Sequence, residues 1–192
     1  MTAEPSYVPA MTPPASALLT AEQLLDVRIP NKRFELVRGV LVVREPPGGR
    51  HGRIAMNVAM ELGNYVRTHD LGVVYAAETG FTVARRPDTV RAPDLAFVRR
   101  ERLPSPEPIG YPDLAPDLVV EVLSPGDRPG EILAKIADWL SAGTALVWII
   151  DPDRRVARVY RQDGTEEVVT TDQALDGETV VPGFTCRLGA IL

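Results

Sequence analysis

The stretch "PDLVVEVLSPGD", residues 116–127, decides how the rest of this sequence is read. Leu118 to Leu123 form an apolar run of the kind required by a strand covered on both faces, and Glu121 stands in its middle. An unpaired ionised carboxylate is very costly in such surroundings. Glu121 must therefore be neutralised, paired with a cation or bound to a metal. A structural salt bridge to a buried arginine satisfies that demand, and so does a metal ligand held on a rigid strand.

The neighbouring segments bear on the choice. "SPGDRPG" (124–130) breaks the strand, the helical pattern "EILAKIADWLSAG" follows with Gly143 ending it, and "ALVWIID" (145–151) is another apolar strand. Upstream, Asp94 opens the short apolar strand "DLAFV" after Pro93, with a Pro-rich loop over 101–116 between the two. If these strands are neighbours, Asp94 and Glu121 converge on one sheet edge, and two oxygen ligands suit a hard cation such as Mg²⁺ or Mn²⁺. Zinc would want a Cys or His cluster, whereas the chain holds one Cys and two His. Lys135 lies at the edge of the apolar face of the helix after Glu121. It can form a surface ion pair with Glu131 four residues earlier, or reach back towards the carboxylates and stabilise charge on a phosphate.

Further out, Thr20 starts a short helix "TAEQLLDV" with Gln23 placed for a capping box. "RFELVRGVLVVRE" (33–45) reads as a hairpin turning at Arg38-Gly39, in which Glu35 alternates as an outward-facing residue. From Arg50 to about Asp70 the spacing predicts a helix with His51, Ile54 or Ala55, Val58, Leu62 and Tyr65 or Val66 on one face. A lone His on such a stripe is more often a hydrogen-bonded core residue than a ligand. "GVVYAAETGFTVARR" (72–86) gives two strands or one bent strand turning at Thr79-Gly80, with Glu78 a weaker acidic candidate. "RVARVYRQ", Asp163-Gly164 and "TEEVVT" form a second hairpin, before a short strand and the apolar end "RLGAIL".

The expected class is a mixed α/β or α+β domain with one core over residues 20–192. Residues 1–19, rich in Pro, Ala and Ser, are expected to be a flexible or partner-packing arm. No apolar run approaches the roughly 20 residues of a membrane helix, and no basic-then-apolar leader is visible, so a cytoplasmic protein is expected. Cys186 reads as a small core filler. The net charge of −5 argues against a constitutively basic nucleic-acid binder, yet Arg85, Arg86, Arg91, Arg99, Arg100 and Arg102 cluster around Asp94. They form either a local phosphate track or a solvated loop of mixed charge.

The ordered set "FELVRGVLVV", "HGRIAMNVAMEL", "APDLAFV", "PDLVVEVLSPGDRPGEILAKIADWLSAG" and "VWIIDPDRR" resembles the Uma-two family of putative restriction endonucleases, a branch of the PD-(D/E)XK nuclease superfamily. That resemblance implies a restriction-endonuclease-like fold: a central mixed sheet flanked by helices, here with an added hairpin. It implies that Asp94 and Glu121 hold Mg²⁺ or Mn²⁺, and that the assisting lysine, absent at Leu123, is Lys135 on the following helix. The family's early glutamate falls on Glu35 and its helix-start histidine on His51, while Trp139 stands where Tyr is frequent. The implied activity is metal-dependent endonucleolytic cleavage, with DNA as substrate and a homodimer the simplest assembly for cutting a duplex. The alternatives are an inactive nuclease fold that binds DNA or protein, and, less favoured at 6% aromatic residues, a carboxylate-pair glycosidase.

Overall fold

The computed structural model describes residues 18–192; of the expected N-terminal arm, only Leu18 and Leu19 fall within them. Thr20 caps α1 (Ala21–Leu24) through the capping box with Gln23. The hairpin β1 (Arg33–Val37) and β2 (Val40–Arg44) follows, turning at Arg38-Gly39, and then the long helix α2 (Gly49–Thr68). Six strands come next: β3 (Gly72–Ala76), β4 (Phe81–Ala84), β5 (Thr89–Arg91), β6 (Leu95–Arg99) and β7 (Leu118–Val122), then β8 (Leu146–Asp151) after helix α3 (Pro129–Ser141). The chain closes with β9 (Val156–Arg161), β10 (Glu166–Thr170), β11 (Ala174–Asp176), β12 (Thr185–Arg187) and α4 (Leu188–Ile191).

The central sheet has the order β10-β9-β8-β7-β6-β3. It is mixed because β7 and β8 pair in parallel while every other pair is antiparallel. A parallel pair needs a crossover, and α3 supplies it. Side chains alternate along β7. Leu118, Val120 and Val122 join the core against Ile54, Val58, Leu62 and Val66 of α2. Val119 faces the other way, into a core with Ile136 and Trp139 of α3, and Glu121 shares that face by period two. The mixed α+β class with helices on both faces is thus the observed architecture.

A second sheet, order β2-β1-β5-β4, closes over a small core of Ala21, Leu24, Val27, Leu36 and Val90. The run 72–86 yields two strands that belong to different sheets, β3 to the central one and β4 to the second. Between them Glu78 adopts φ +70, and a Cβ on Gly80 would meet the Tyr111 ring at 2.6 Å, so the chain changes sheet where only glycine fits under Tyr111. The β11–β12 ribbon and α4 seal the α2 side of the core through Leu175, Val181 and Leu188. No helix of the described residues is long and apolar enough to cross a membrane.

Leu62 is fully buried where α2 meets the central sheet. Leu62→Ala is expected to lower stability by about 2–5 kcal/mol in denaturant titration; a loss below about 1 kcal/mol would show that α2 is not packed as described.

Candidate active site

The edge where the two sheets meet collects the acidic residues. The β6–β7 register pairs Leu95 with Val120, so the preceding residue, Asp94, at the entrance to β6, lies beside Glu121 at the end of the sheet. One oxygen of the buried Asp94 is held from two sides. The Val122 backbone N–H donates to Oδ2 at 2.8 Å, and His51 Nε2 lies 3.0 Å from the same atom. His51 continues the buried stripe of α2 into its first turn, so the helix carries it to the end of the sheet. It is a hydrogen-bonded buried residue, and its partner is Asp94.

Lys135 points from α3 into the same space. Its ammonium lies 2.8 Å from Glu121 Oε1 and 3.1 Å from Glu35 Oε1, and it donates to the Ala92 carbonyl at 3.1 Å. Glu131 does not hold it; that carboxylate pairs with Arg44 at 2.8 Å. Glu35 is buried rather than outward-facing, because the second sheet turns that side of β1 towards the central sheet. It accepts from the Ala92 N–H at 2.9 Å and from Arg91 Nη1 at 2.9 Å. Arg91, itself buried, also donates to Asp138 of α3 at 2.6 Å, so one guanidinium ties α3 to both ends of this cluster.

The charges do not balance evenly. Burial works to raise the Glu35 pKa, but Lys135 and Arg91 together outweigh it and hold Glu35 below the usual carboxylate range. Glu121 has only its share of Lys135. Burial, with the charges of Asp94 and Glu35 nearby, pushes it up to about 7. Lys135 stays charged because Glu121 and Glu35 more than offset its burial. Glu78 stands at the cleft mouth, raised by partial burial and by Asp94 and Glu35, with Arg33 opposing at 3.6 Å.

The result is a cleft of about 100 Å³ lined by Arg33, Glu35, His51, Glu78, Asp94, Glu121, Lys135 and Trp139, among others. All six acidic, basic and imidazole candidates read from the sequence line this one space. Among the described residues no group of three or more His, Cys, Asp or Glu side chains forms a ready ligand set. Asp94 and Glu121 offer two carboxylates, the hard-oxygen chemistry that Mg²⁺ takes together with retained waters. The surplus negative charge at Glu121 fits such a cation.

Of three further cleft residues, Arg33 escaped the sequence reading, while Trp139 and Arg91 were noted without their partners. Arg33 shares the cleft face of β1 with Glu35, two residues on, a signal present in the alternation itself. Trp139 donates its indole N–H to Glu121 Oε1 at 3.3 Å. Arg91 stood among the arginines around Asp94, and most of that cluster is engaged in ion pairs within the chain. Arg85 is taken by Glu22, Asp88 and Asp113, Arg99 and Arg102 by Asp117, and Arg100 by Asp70.

Residues 21–189 match the family Uma2, described as "Putative restriction endonuclease". The fold is similar to the crystal structure of a putative nuclease belonging to DUF820 from Anabaena variabilis, with a TM-score of 0.80. The two sequences are 21% identical over 90% of this chain and 97% of that one. No curated protein matches.

The charge surplus has a measurable consequence. The folded chain keeps a proton on Glu121 that the unfolded chain has released above its ordinary value of 4.5, so this group lowers stability as pH rises from about 4.5 to about 7. Glu121→Gln escapes that loss. In EDTA its Tm is expected to match wild type below pH 4.5 and to exceed it by several degrees at about pH 8. Equal Tm values at the higher pH would show that Glu121 ionises at no cost.

Proposed function

The chain belongs to the Uma2 family of putative restriction endonucleases, since that family's pattern spans residues 21–189, and on that premise we propose that it is a metal-dependent endonuclease of the PD-(D/E)XK type. The observation that carries this reading is Asp94 at the entrance to β6 beside Glu121 of the neighbouring β7, with the Lys135 ammonium 2.8 Å from Glu121. Asp94 and Glu121 would hold Mg²⁺, or Mn²⁺, which supplies Lewis-acid stabilisation of charge building on a phosphoryl oxygen.

The protein's own groups divide the remaining work. Lys135 brings a fixed positive charge to the edge of the cleft, where it can stabilise a phosphate as it gains charge and orient an attacking water. Glu35 and the Ala92 carbonyl hold that ammonium in place, and Arg91 keeps Glu35 ionised for the task. His51 and the Val122 N–H fix one oxygen of Asp94 and leave Oδ1 turned towards Arg33, at 3.8 Å. Trp139 orients Glu121 from the floor. The proposed substrate is DNA. One such site per chain cuts one strand, and a two-fold homodimer would present two; light scattering at micromolar concentration tests the assembly.

A second reading has one specific observation in its favour. The buried Glu35–Arg91 pair is the internal neutralisation expected of a nuclease fold that has become a binding module. Glu121, which faces a lysine rather than an arginine, does not follow that pattern.

Supercoiled plasmid incubated with Mg²⁺ or Mn²⁺ separates the two. Wild type is expected to nick or linearise it, Lys135→Ala to lose about 10²–10³-fold in rate, and Glu121→Ala to lose cleavage and metal binding while keeping its circular dichroism. A folded Glu121→Ala that cuts at the wild-type rate would overturn the assignment. Folded wild type that binds DNA without cutting under either cation would favour the binding module.

A further inference from the structure

Arg33 of β1 and Arg44 of β2 are direct cross-strand partners, and both line the cleft. Two like charges opposite each other on a hairpin destabilise it. Nothing in the hairpin's own packing calls for the pair, since the small core beneath it is built by Leu36 and its neighbours.

Neither guanidinium is locked. Arg33 Nη1 stands 3.8 Å from Asp94 Oδ1 and its Nε 3.6 Å from Glu78, both beyond hydrogen-bond reach, while Nη2 donates to the Glu45 carbonyl at 3.4 Å. Its Nε is buried with no hydrogen-bond partner at all, one of the few such atoms among the described residues. An orphaned guanidinium N–H is costly unless something accepts from it. Arg44 rests on Glu131 in a half-exposed pair, the kind that contributes little and exchanges readily.

We propose that Arg33 and Arg44 form a phosphodiester clamp at the cleft mouth, which grips the backbone of the strand presented to Asp94 and Glu121. The inference rests on the nuclease reading and supplies what it lacked, a place for the substrate's charge inside the cleft itself, where Arg91 is held by Glu35 and Asp138. A planar guanidinium with a free Nε–H suits the forked geometry of a phosphate. A cation held by Asp94 and Glu121 would compete with Arg33 for Asp94, whose Oδ1 stands 3.8 Å from Arg33 Nη1, and so would favour the guanidinium facing a phosphate.

The test is fluorescence anisotropy with an end-labelled DNA duplex, and an RNA duplex of the same sequence beside it. Ca²⁺ replaces Mg²⁺, and salt runs from about 50 to 200 mM. Arg33→Ala and Arg44→Gln are each expected to weaken binding about five- to tenfold and to reduce the salt slope by about one. Arg154→Ala, outside the cleft, is the charge control and should bind as wild type. Arg44→Gln is expected to keep or raise Tm, since it removes a like-charge neighbour. In cleavage assays with Mg²⁺, Arg44→Gln should raise KM with little change in kcat.

Wild type that cuts, with both variants binding at wild-type affinity and slope, overturns the clamp and leaves the nuclease reading intact. Clamp-dependent binding without cleavage supports the clamp and counts against the nuclease. Clamp-dependent binding of RNA alone supports it and removes DNA as the substrate. Wild type that binds neither duplex overturns it.

Discussion

One ammonium divided between two buried carboxylates is the constraint on which the site depends. Lys135 comes from the crossover helix, Glu121 from the central sheet and Glu35 from the second sheet, so its charge joins three separately built parts of the fold. Each carboxylate alone would be too costly to bury in ionised form. Arg91 sets how the division falls. By binding both Glu35 and Asp138 it secures Glu35 as an anion and leaves Glu121 under-compensated. The fold thus concentrates its electrostatic deficit at one strand residue, beside Asp94, where a divalent cation can relieve it.

The sheet geometry explains why this is a small cleft rather than a buried ion cluster. The central sheet packs against α2 on one face and α3 on the other, and the second sheet meets it at the end near Asp94. The β1–β2 hairpin approaches that end with Glu35 inward and Arg33 at the rim. The cleft therefore has carboxylates at its floor and two arginines, Arg33 and Arg44, at its mouth beside Glu78 and Glu131, a local arrangement that the chain's acidic total conceals.

What the sequence disclosed follows from the range of the interactions concerned. Glu121 was legible because it violates the pattern of its own strand, and α2 and α3 because their apolar stripes repeat over many residues. Asp94 needed one assumption, that β6 and β7 are neighbours. Glu35 was misread as outward-facing because strand alternation says which residues share a face but not which face meets a second sheet. That sheet depends on β5, three residues long and too short to show a period. The arginines around Asp94 were ambiguous because their partners, Glu22, Asp70, Asp113 and Asp117, lie elsewhere in the chain or across the loop, and only folding brings them together. From the residues alone Glu35 and His51 were weaker candidates; the resemblance to a family gave each a matching motif position.

The origin of Lys135 on a helix has a consequence for how this chain can vary. A lysine two residues after the glutamate would be fixed by strand register, and any slip would carry it to the other face. Here Ile136 and Trp139 dock α3 on the sheet and so set the reach of the ammonium, independently of how many residues lie between β7 and the helix. The connection over residues 123–128 can therefore lengthen or shorten while the ammonium stays between Glu35 and Glu121. Position 123 is relieved of a functional side chain, and Leu123 packs against the α3 core instead. Insertions and deletions, which elsewhere would scramble a catalytic constellation, become neutral changes of outline at the rim of the site.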